Sequence, residues 1–244
     1  MAVPSRAELL SVWENARERG ALEKAMLLLE AAHPEQARDE LYALPVGERD
    51  VRLLALRRNL FGPTLKSIAT CPACDTHLEF ALDARELIGE SLPTPQPAPL
   101  RLTVGDTELD LRPVSSGDLA AVADCVDIED ARRLLCDRCV LHARQGGSSI
   151  STASLSALMI ERVSDALASA DPHAELLIDL RCESCAHRWQ LILDVASFLW
   201  TEIDSLARGL LGEVHTLAWA YGWREADIIG MSDVRRRFYL DRVS

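Results

Sequence analysis

Apolar residues recur along the chain at two periods, and the switches between them divide it into helices and strands. From residue 5 to 60 the period is helical. Ser5 is placed to cap a helix over 6–19 that carries Leu9, Leu10 and Trp13, Gly20 interrupts, and further helices are expected over 21–32 and 34–44. After Pro45-Val46-Gly47, the residues Leu53, Leu54, Leu56 and Leu60 mark a fourth helix, stopped by Gly62-Pro63. Helices of this length are marginal alone, so their apolar faces require packing, while the Arg- and Glu-rich sides read as a solvated, salt-bridging surface.

At residue 65 the period changes to two. Ile68 precedes Cys71-Pro-Ala-Cys74, and Leu78, Phe80 and Leu82 alternate after it, as a half-buried strand requires. Four prolines within 91–99 indicate a stiff extended connector. Residues 100–104 and 108–112, around Gly105-Asp106, read as a β-hairpin. Helices are then expected over 117–123 with Ser115 or Ser116 as cap, over 129–142, and over 152–169 capped by Ser151 or Thr152, with residues 145–149 as a loop. A strand over 176–181, Cys182-Glu-Ser-Cys185 and a strand with Trp189, Leu191 and Leu193 follow. From Asp194 a helix of some 25 residues begins, with Leu199, Ile203, Leu206, Leu210, Val214, Leu217 and Tyr221 as its apolar stripe and Gly222 as its stop. Two short helices, over 225–230 and 232–242, close the chain.

The two strand–turn–strand segments match at a fixed offset. With Cys71 laid on Cys182, Cys74 falls on Cys185, Leu78 on Trp189, Phe80 on Leu191, Leu82 on Leu193, Asp83 on Asp194 and Leu87-Ile88 on Phe198-Leu199. This degenerate repeat makes Cys71, Cys74, Cys182 and Cys185 the two halves of one four-thiolate site for a structural zinc ion. A redox dithiol fits less well, because no βαβ unit surrounds either pair. Cys136 and Cys139 lie in a helical pattern and, together with Cys125, read as small buried apolar residues. His77 and His187 flank the knuckles without being needed as ligands. No glycine-rich phosphate loop, nucleophile–base pair or paired carboxylate stands out, so no enzyme is expected.

The expected fold class is therefore α+β, mainly α: a helical protein built around a split zinc ribbon, with a β-hairpin and helical insertion between its halves. The expected divisions are an N-terminal helical region (1–63), the first half-ribbon (64–90), the Pro-rich connector (91–99), the hairpin and helical insertion (100–175), the second half-ribbon (176–195) and the C-terminal helices (196–244). Composition narrows the partners. The formal charge of −12 disfavours nucleic acid, for which phosphate neutralisation by Lys and Arg supplies most of the affinity. The run Arg235-Arg236-Arg237 has no basic stripe to extend it, since Arg181 and Arg188 stand among Glu175, Asp179, Glu183 and Asp194. No leader segment or apolar run long enough for a membrane span is seen, and seven cysteines in a cytoplasmic protein point to metal or free thiols before disulfides.

The C-terminal residues carry a resemblance. Leu199-Trp200-x-Glu202, Ala207, Leu210-Leu211-x-Glu213-Val214-His215-x-Leu217-Ala218, Tyr221-Gly222-Trp223-x-Glu225, Ile228-Ile229, Arg235-Arg236 and Tyr239-Leu240 resemble the signature of the T4-type baseplate hub assembly chaperones. Proteins of this kind occur in contractile-tailed phages and, with added Cys-x-x-Cys knuckles, in phage-tail-like contractile injection systems. The resemblance implies an assembly factor that contacts baseplate, hub or spike proteins and makes or breaks no bond. Trp200, His215, Tyr221, Trp223, Arg235 and Arg236 are its candidate partner-binding residues. The alternative is a zinc-ribbon regulator that binds nucleic acid. Ribbons of this sort commonly place Gly after each second Cys, where the turn is left-handed; here Asp75 and Ala186 stand there.

Overall fold

The computed structural model describes residues 1–89 and 99–243. Its elements in chain order are α1 (Arg6–Ala16), α2 (Ala21–Ala32), α3 (Arg38–Tyr42), α4 (Val46–Phe61), β1 (Thr64–Thr70), β2 (His77–Asp83), α5 (Ala84–Ile88), β3 (Leu100–Val104), β4 (Thr107–Leu111), α6 (Ser116–Val122), α7 (Ile128–Cys139), β5 (Val140–Gln145), β6 (Ser148–Ser149), α8 (Ala157–Ala170), β7 (Leu177–Arg181), β8 (Arg188–Ile192), α9 (Val195–Tyr221), α10 (Glu225–Ile229) and α11 (Asp233–Leu240). Helices predominate over three small antiparallel sheets, β1-β2, β3-β4-β5-β6 and β7-β8. Among the described residues, no helix is long and apolar enough to cross a membrane. Most of the connector expected at 91–99 lies outside the described residues.

Two compact units divide the chain. One comprises residues 1–35 and 196–244, the other 36–195. The division falls after Glu35, so α3 and α4 belong with the sheets and not with α1 and α2.

In the first unit α1 begins at a capping box. The Ser5 hydroxyl accepts from the Glu8 N–H at 3.3 Å, and the Glu8 carboxylate accepts from the Ser5 N–H at 2.7 Å. The helix ends three residues short of the expected end, because the Arg19 N–H turns back to the Ala16 carbonyl on the way into α2. Leu199, Ile203, Ala207, Leu210, Val214 and Leu217 form the buried stripe of α9, with Ala207 in place of Leu206. Trp13 donates its indole N–H to Asp204 at 2.7 Å, and the Lys24 ammonium lies 4.8 Å above the Trp200 ring.

The second unit is where the expectations need correction. The segment expected as one helix over 129–142 is α7 followed by strand β5, and the expected loop at 145–149 is the hairpin from β5 into β6. Helical spacing alone could not exclude a helix through Leu141. Pairing with β4 decides otherwise: the Arg112 N–H takes the Cys139 carbonyl at 3.0 Å, which ends α7 and starts the ladder. A register shift at Asp110/Leu111 turns both Val140 and Ala143 inward. Gly146 and Gly147 both have positive φ, 56° and 83°, as a two-residue primed turn requires. The hairpin over 100–112 thus belongs to a four-stranded sheet, whose inner face packs Leu109 and Leu111 against Cys136, Cys139, Ile160, Val163 and Leu167. The helix expected over 152–169 starts late, because Leu155 takes an extended backbone to enter this core and Ser156 caps α8 afresh. The helix expected over 34–44 shrinks to α3, which starts after Ala37, where the Glu40 carboxylate accepts the Ala37 N–H at 3.3 Å.

Two carboxylates, Asp171 half-buried and Asp118 fully buried, tie loops to helix ends in this unit. Asp171 accepts the Gly47 N–H at 2.8 Å, taking one of the donors left open at the start of α4. A Cβ at Gly47 would stand 1.9 Å from the Asp171 carboxylate, so only glycine fits. Asp118, fully buried, receives Arg112 through two bonds of 2.6 and 2.9 Å, Arg138 at 2.7 Å, and the Ser115 N–H and hydroxyl at 2.9 and 2.8 Å. Burial pushes its carboxyl up, but Arg112, Ser115 and Arg138 outweigh that and hold it below its ordinary value of 3.8. Such a depressed group stabilises the fold fully above that ordinary value and loses the contribution as pH falls below it. Asp118→Asn should therefore lower stability by about 2–3 kcal/mol at neutral pH. In urea titrations across pH the difference from wild type should shrink below about pH 4; a constant difference would contradict this account.

Candidate metal centre

Each half-ribbon is a two-stranded antiparallel ladder whose turn holds the Cys-x-x-Cys. In the first, residues pair from Thr64↔Asp83 to Thr70↔His77; in the second, from Leu177↔Ile192 to Arg181↔Arg188. The turns are built alike. The Cys71 N–H bonds the Thr76 carbonyl at 2.9 Å and the Asp75 N–H bonds the Cys71 carbonyl at 3.0 Å. In the second turn the Cys182 N–H bonds His187 and the Ala186 N–H bonds Cys182, both at 2.9 Å. The repeat seen in sequence is thus a repeat of backbone hydrogen bonds.

Closing these turns demands left-handed backbone at the residue after the second Cys. Asp75 has φ 57° and Ala186 φ 60°, the positive-φ non-glycine residues among those described. Both positions carry the conformation that glycine would adopt freely.

The two turns meet at their sulfurs. Cys71 Sγ lies 3.7 Å from Cys185 Sγ, Cys74 Sγ lies 3.6 Å from Cys182 Sγ, and all four sulfurs fall within 4.8 Å of one another. A disulfide would need roughly 2.05 Å. Sulfurs placed about 2.3 Å from a central ion in a tetrahedron stand about 3.8 Å apart, close to the 3.7 and 3.6 Å of these two pairs. The four cysteines can therefore hold a metal ion, and no other group of three or more His, Cys, Asp or Glu side chains among the described residues comes together this way. Cys71 and Cys182 are buried and Cys74 and Cys185 exposed, so each close pair joins an inner sulfur of one half to an outer sulfur of the other.

The protons of this set are unevenly held. Cys74 is pulled down to about 6, first by its hydrogen bond with the Thr76 hydroxyl and then by the Thr76 backbone. At Cys185 the His187 backbone N–H favours the thiolate, but hydrogen bonding with Cys74 and partial desolvation prevail and push it up to about 12. One sulfur gives up its proton readily and shares the charge with the others; a divalent cation removes the cost of ionising the rest. Thr76, overlooked in the sequence, is signalled by its place two residues after Cys74.

The flanking histidines stay outside the sulfur cluster. His77 bonds the Thr70 hydroxyl at 3.1 Å, and His187 stacks on Trp189 with ring centres 6.0 Å apart. Cys136 and Cys139 are buried as expected, with burial pushing Cys139 up to about 11, whereas Cys125 is only half-buried.

The candidate contact residues divide. His215 and Arg235 are exposed, Tyr221 is more than a third exposed, and Trp200 and Trp223 are half-buried. Trp223 stacks on Tyr221 at 4.5 Å and meets Tyr239 edge-on at 4.8 Å. Arg236 is the exception to the expectation of a contact surface: it is 3% exposed and its guanidinium is taken by Glu213, by Asp233 at 2.9 Å and by the Met231 carbonyl at 3.1 Å. It holds α11 to α9 instead of facing outward.

Comparison of the chain with protein-family models, with curated proteins and with solved structures finds no match.

The backbone of the second turn yields a graded prediction. Replacing a left-handed alanine by glycine removes a steric cost of about 1–2 kcal/mol and adds back about 0.5–1 in chain entropy. Ala186→Gly should stabilise the protein by about 0.5–1 kcal/mol, and Asp75→Gly by less, because Asp tolerates this conformation. Urea midpoints of the two variants check it; equal or reversed effects would contradict the reading.

Proposed function

We propose that the chain is a non-enzymatic, chaperone-like assembly factor for the baseplate, hub or spike of a contractile tail or contractile injection system. It acts in the cytoplasm by protein–protein contact, and Cys71, Cys74, Cys182 and Cys185 hold a structural zinc ion.

The observation that carries the assembly reading is how the residues resembling the hub chaperones fit together. Val214, Leu217 and Ile228 are buried in one cluster against Ala218, Trp223, Tyr239 and Leu240. Tyr221, Trp223 and Tyr239 share one aromatic group, and Arg236 is paired to Glu213 across 23 residues. A resemblance spread over about 45 residues thus falls on positions that build a single folded end, which supports reading it as a module and not as scattered coincidence.

The zinc reading rests on the donor set. Four sulfurs suit a borderline-soft ion without geometric preference of its own, and they fill its tetrahedron. Zinc supplies electrostatic cross-linking when bound; the chain supplies the two turns, the left-handed residues that close them and the thiolates. Metal analysis by mass spectrometry should find about one zinc per chain, lost in Cys71→Ser together with a lower unfolding midpoint. Binding should weaken as pH falls, because protons compete for the sulfurs. Reduced protein that takes up no zinc, or gains no stability from it, would rule out the ion.

The assembly role has its own test. When hub or spike components encoded beside this chain are co-expressed with it, their soluble fraction should rise several-fold over expression alone, and a complex should co-elute. Unchanged solubility with no complex would remove the proposal. A mobility shift of DNA or RNA at micromolar protein and low salt would favour the nucleic-acid regulator instead.

A further inference from the structure

Four clustered thiols can be oxidised as well as ligated, and their arrangement decides which of them join. Cys71 Sγ lies 3.7 Å from Cys185 Sγ and Cys74 Sγ lies 3.6 Å from Cys182 Sγ, and in both pairs either sulfur can donate a hydrogen bond to the other. The line between the sulfurs therefore leaves each Cβ–Sγ bond at a bent angle, as it also does in a disulfide. Closing by about 1.6 Å takes either pair to the disulfide length of about 2.05 Å, a shift that side-chain rotation supplies. Depth gives the members of each pair different parts. Cys74 and Cys185 are exposed, whereas Cys71 and Cys182 are buried. A small oxidant arriving from solvent meets the exposed sulfur first, and the buried sulfur at contact distance from it belongs to the opposite half-ribbon.

We propose that this cluster is a site of oxidation by peroxide that closes crosswise, forming the disulfides Cys71–Cys185 and Cys74–Cys182. In each pair the exposed sulfur attacks one peroxide oxygen, the O–O bond breaks, and the sulfur is left as a sulfenic acid while one water departs. The buried thiol of the opposite half then displaces the sulfenic hydroxyl: the S–S bond forms, the S–O bond breaks, and the hydroxyl leaves as water with the thiol proton. Two thiols and one hydrogen peroxide thus give one disulfide and two waters, with sulfur oxidised and peroxide oxygen reduced. Two peroxides oxidise the whole set.

The pairing sets the consequence. Disulfides closed within each Cys-x-x-Cys would use up every sulfur that could join the two turns and leave the half-ribbons unlinked. Crosswise bonds keep the turn at 71–74 tied to the turn at 182–185, so that the long loop between them stays closed when oxidation has taken all four sulfurs from a metal. A thiol reductant reopens both bonds. This inference shares its sulfurs with the zinc reading proposed above but does not need the ion.

Disulfide mapping of the full chain tests it. The protein is purified under reducing conditions, freed of reductant, exposed to a few equivalents of hydrogen peroxide, blocked at its remaining thiols and digested with trypsin. Lys66 and Arg85 bracket the first turn and Arg181 and Arg188 the second, so each turn is released as one peptide. In protein of single-chain mass the two peptides should emerge joined, outnumbering unjoined ones several-fold, and fragmentation should assign Cys71 to Cys185 and Cys74 to Cys182. Dithiothreitol should separate them. With a chelator present, the oxidised chain should unfold at higher urea than the reduced chain. Disulfides confined within the turns, the opposite cross-pairing, thiols that peroxide leaves unpaired, or an oxidised chain no more resistant to urea would each overturn the inference. Joined peptides from a chain that binds no zinc would support it while removing the ion; within-turn disulfides from a chain that holds zinc would do the reverse.

Discussion

Four sulfurs drawn from turns more than a hundred residues apart come within a few ångströms of each other, and the unit over 36–195 depends on that convergence. Among its described residues, the three sheets share no backbone ladder. The half-ribbons are two-stranded, a size that is marginal in water without further support. A metal ion held between them would close a long loop, and the entropy of closing a loop grows only slowly with its length. Such an ion would therefore constrain the whole insertion between the halves. The crossed arrangement of the pairs matters here. Because each inner sulfur lies nearest an outer sulfur of the opposite half, neither turn can leave without opening both close contacts.

The turns are also where local cost is accepted for the sake of that constraint. Asp75 and Ala186 adopt a backbone conformation that most side chains avoid, and they do so at equivalent places in the repeat. The same hydrogen bonds recur around both, from the first Cys N–H to the carbonyl five residues on and from the left-handed residue back to the first Cys. What the repeat preserves is the path of the backbone. The identity of the residue at the left-handed position is free to differ, at an energetic penalty that Ala186 bears more heavily than Asp75.

How far such an arrangement can be read from sequence depends on which forces set it. The convergence of the four cysteines was legible, because thiol spacing and strand alternation are local signals and the repeat joined them without any knowledge of the intervening fold. Helix α9, its glycine stop and the capping of α1 by Ser5 were legible for the same reason. The strand β5 was not: Leu134, Leu135, Val140 and Leu141 satisfy a helical period, and only pairing with β4, fixed by a bond from Arg112 to Cys139, cuts the helix short. The bonds of Asp118 to Arg138 and of Asp171 to Gly47 span 20 and 124 residues, and no periodicity announces them. Arg236 shows the same limit in another form. In the sequence it is the middle of three arginines; in the fold it turns inward to Glu213 while Arg235 and Arg237 face out.

That inward turn changes what the C-terminal residues can be asked to explain. Residues that resemble a chaperone signature invite a reading as a contact surface, yet most of them are consumed in building the end of α9 and the helices folded against it. Buried arginine paired to carboxylates is a poor contact group, since exposing it would break its bonds to Glu213, Asp233 and the Met231 carbonyl. A partner contact by this end, if the proposed function holds, would rest on side chains that the fold holds in place but does not cover. In this unit those include Trp219, Val234 and Phe238, together with the unburied arginines Arg224, Arg235 and Arg237. A surface that mixes large apolar groups with arginine, on a chain whose remaining charge is strongly negative, is suited to protein contact. Scaffold and contact are thus divided within a few turns of helix, residue by residue, and the signature marks chiefly the scaffold.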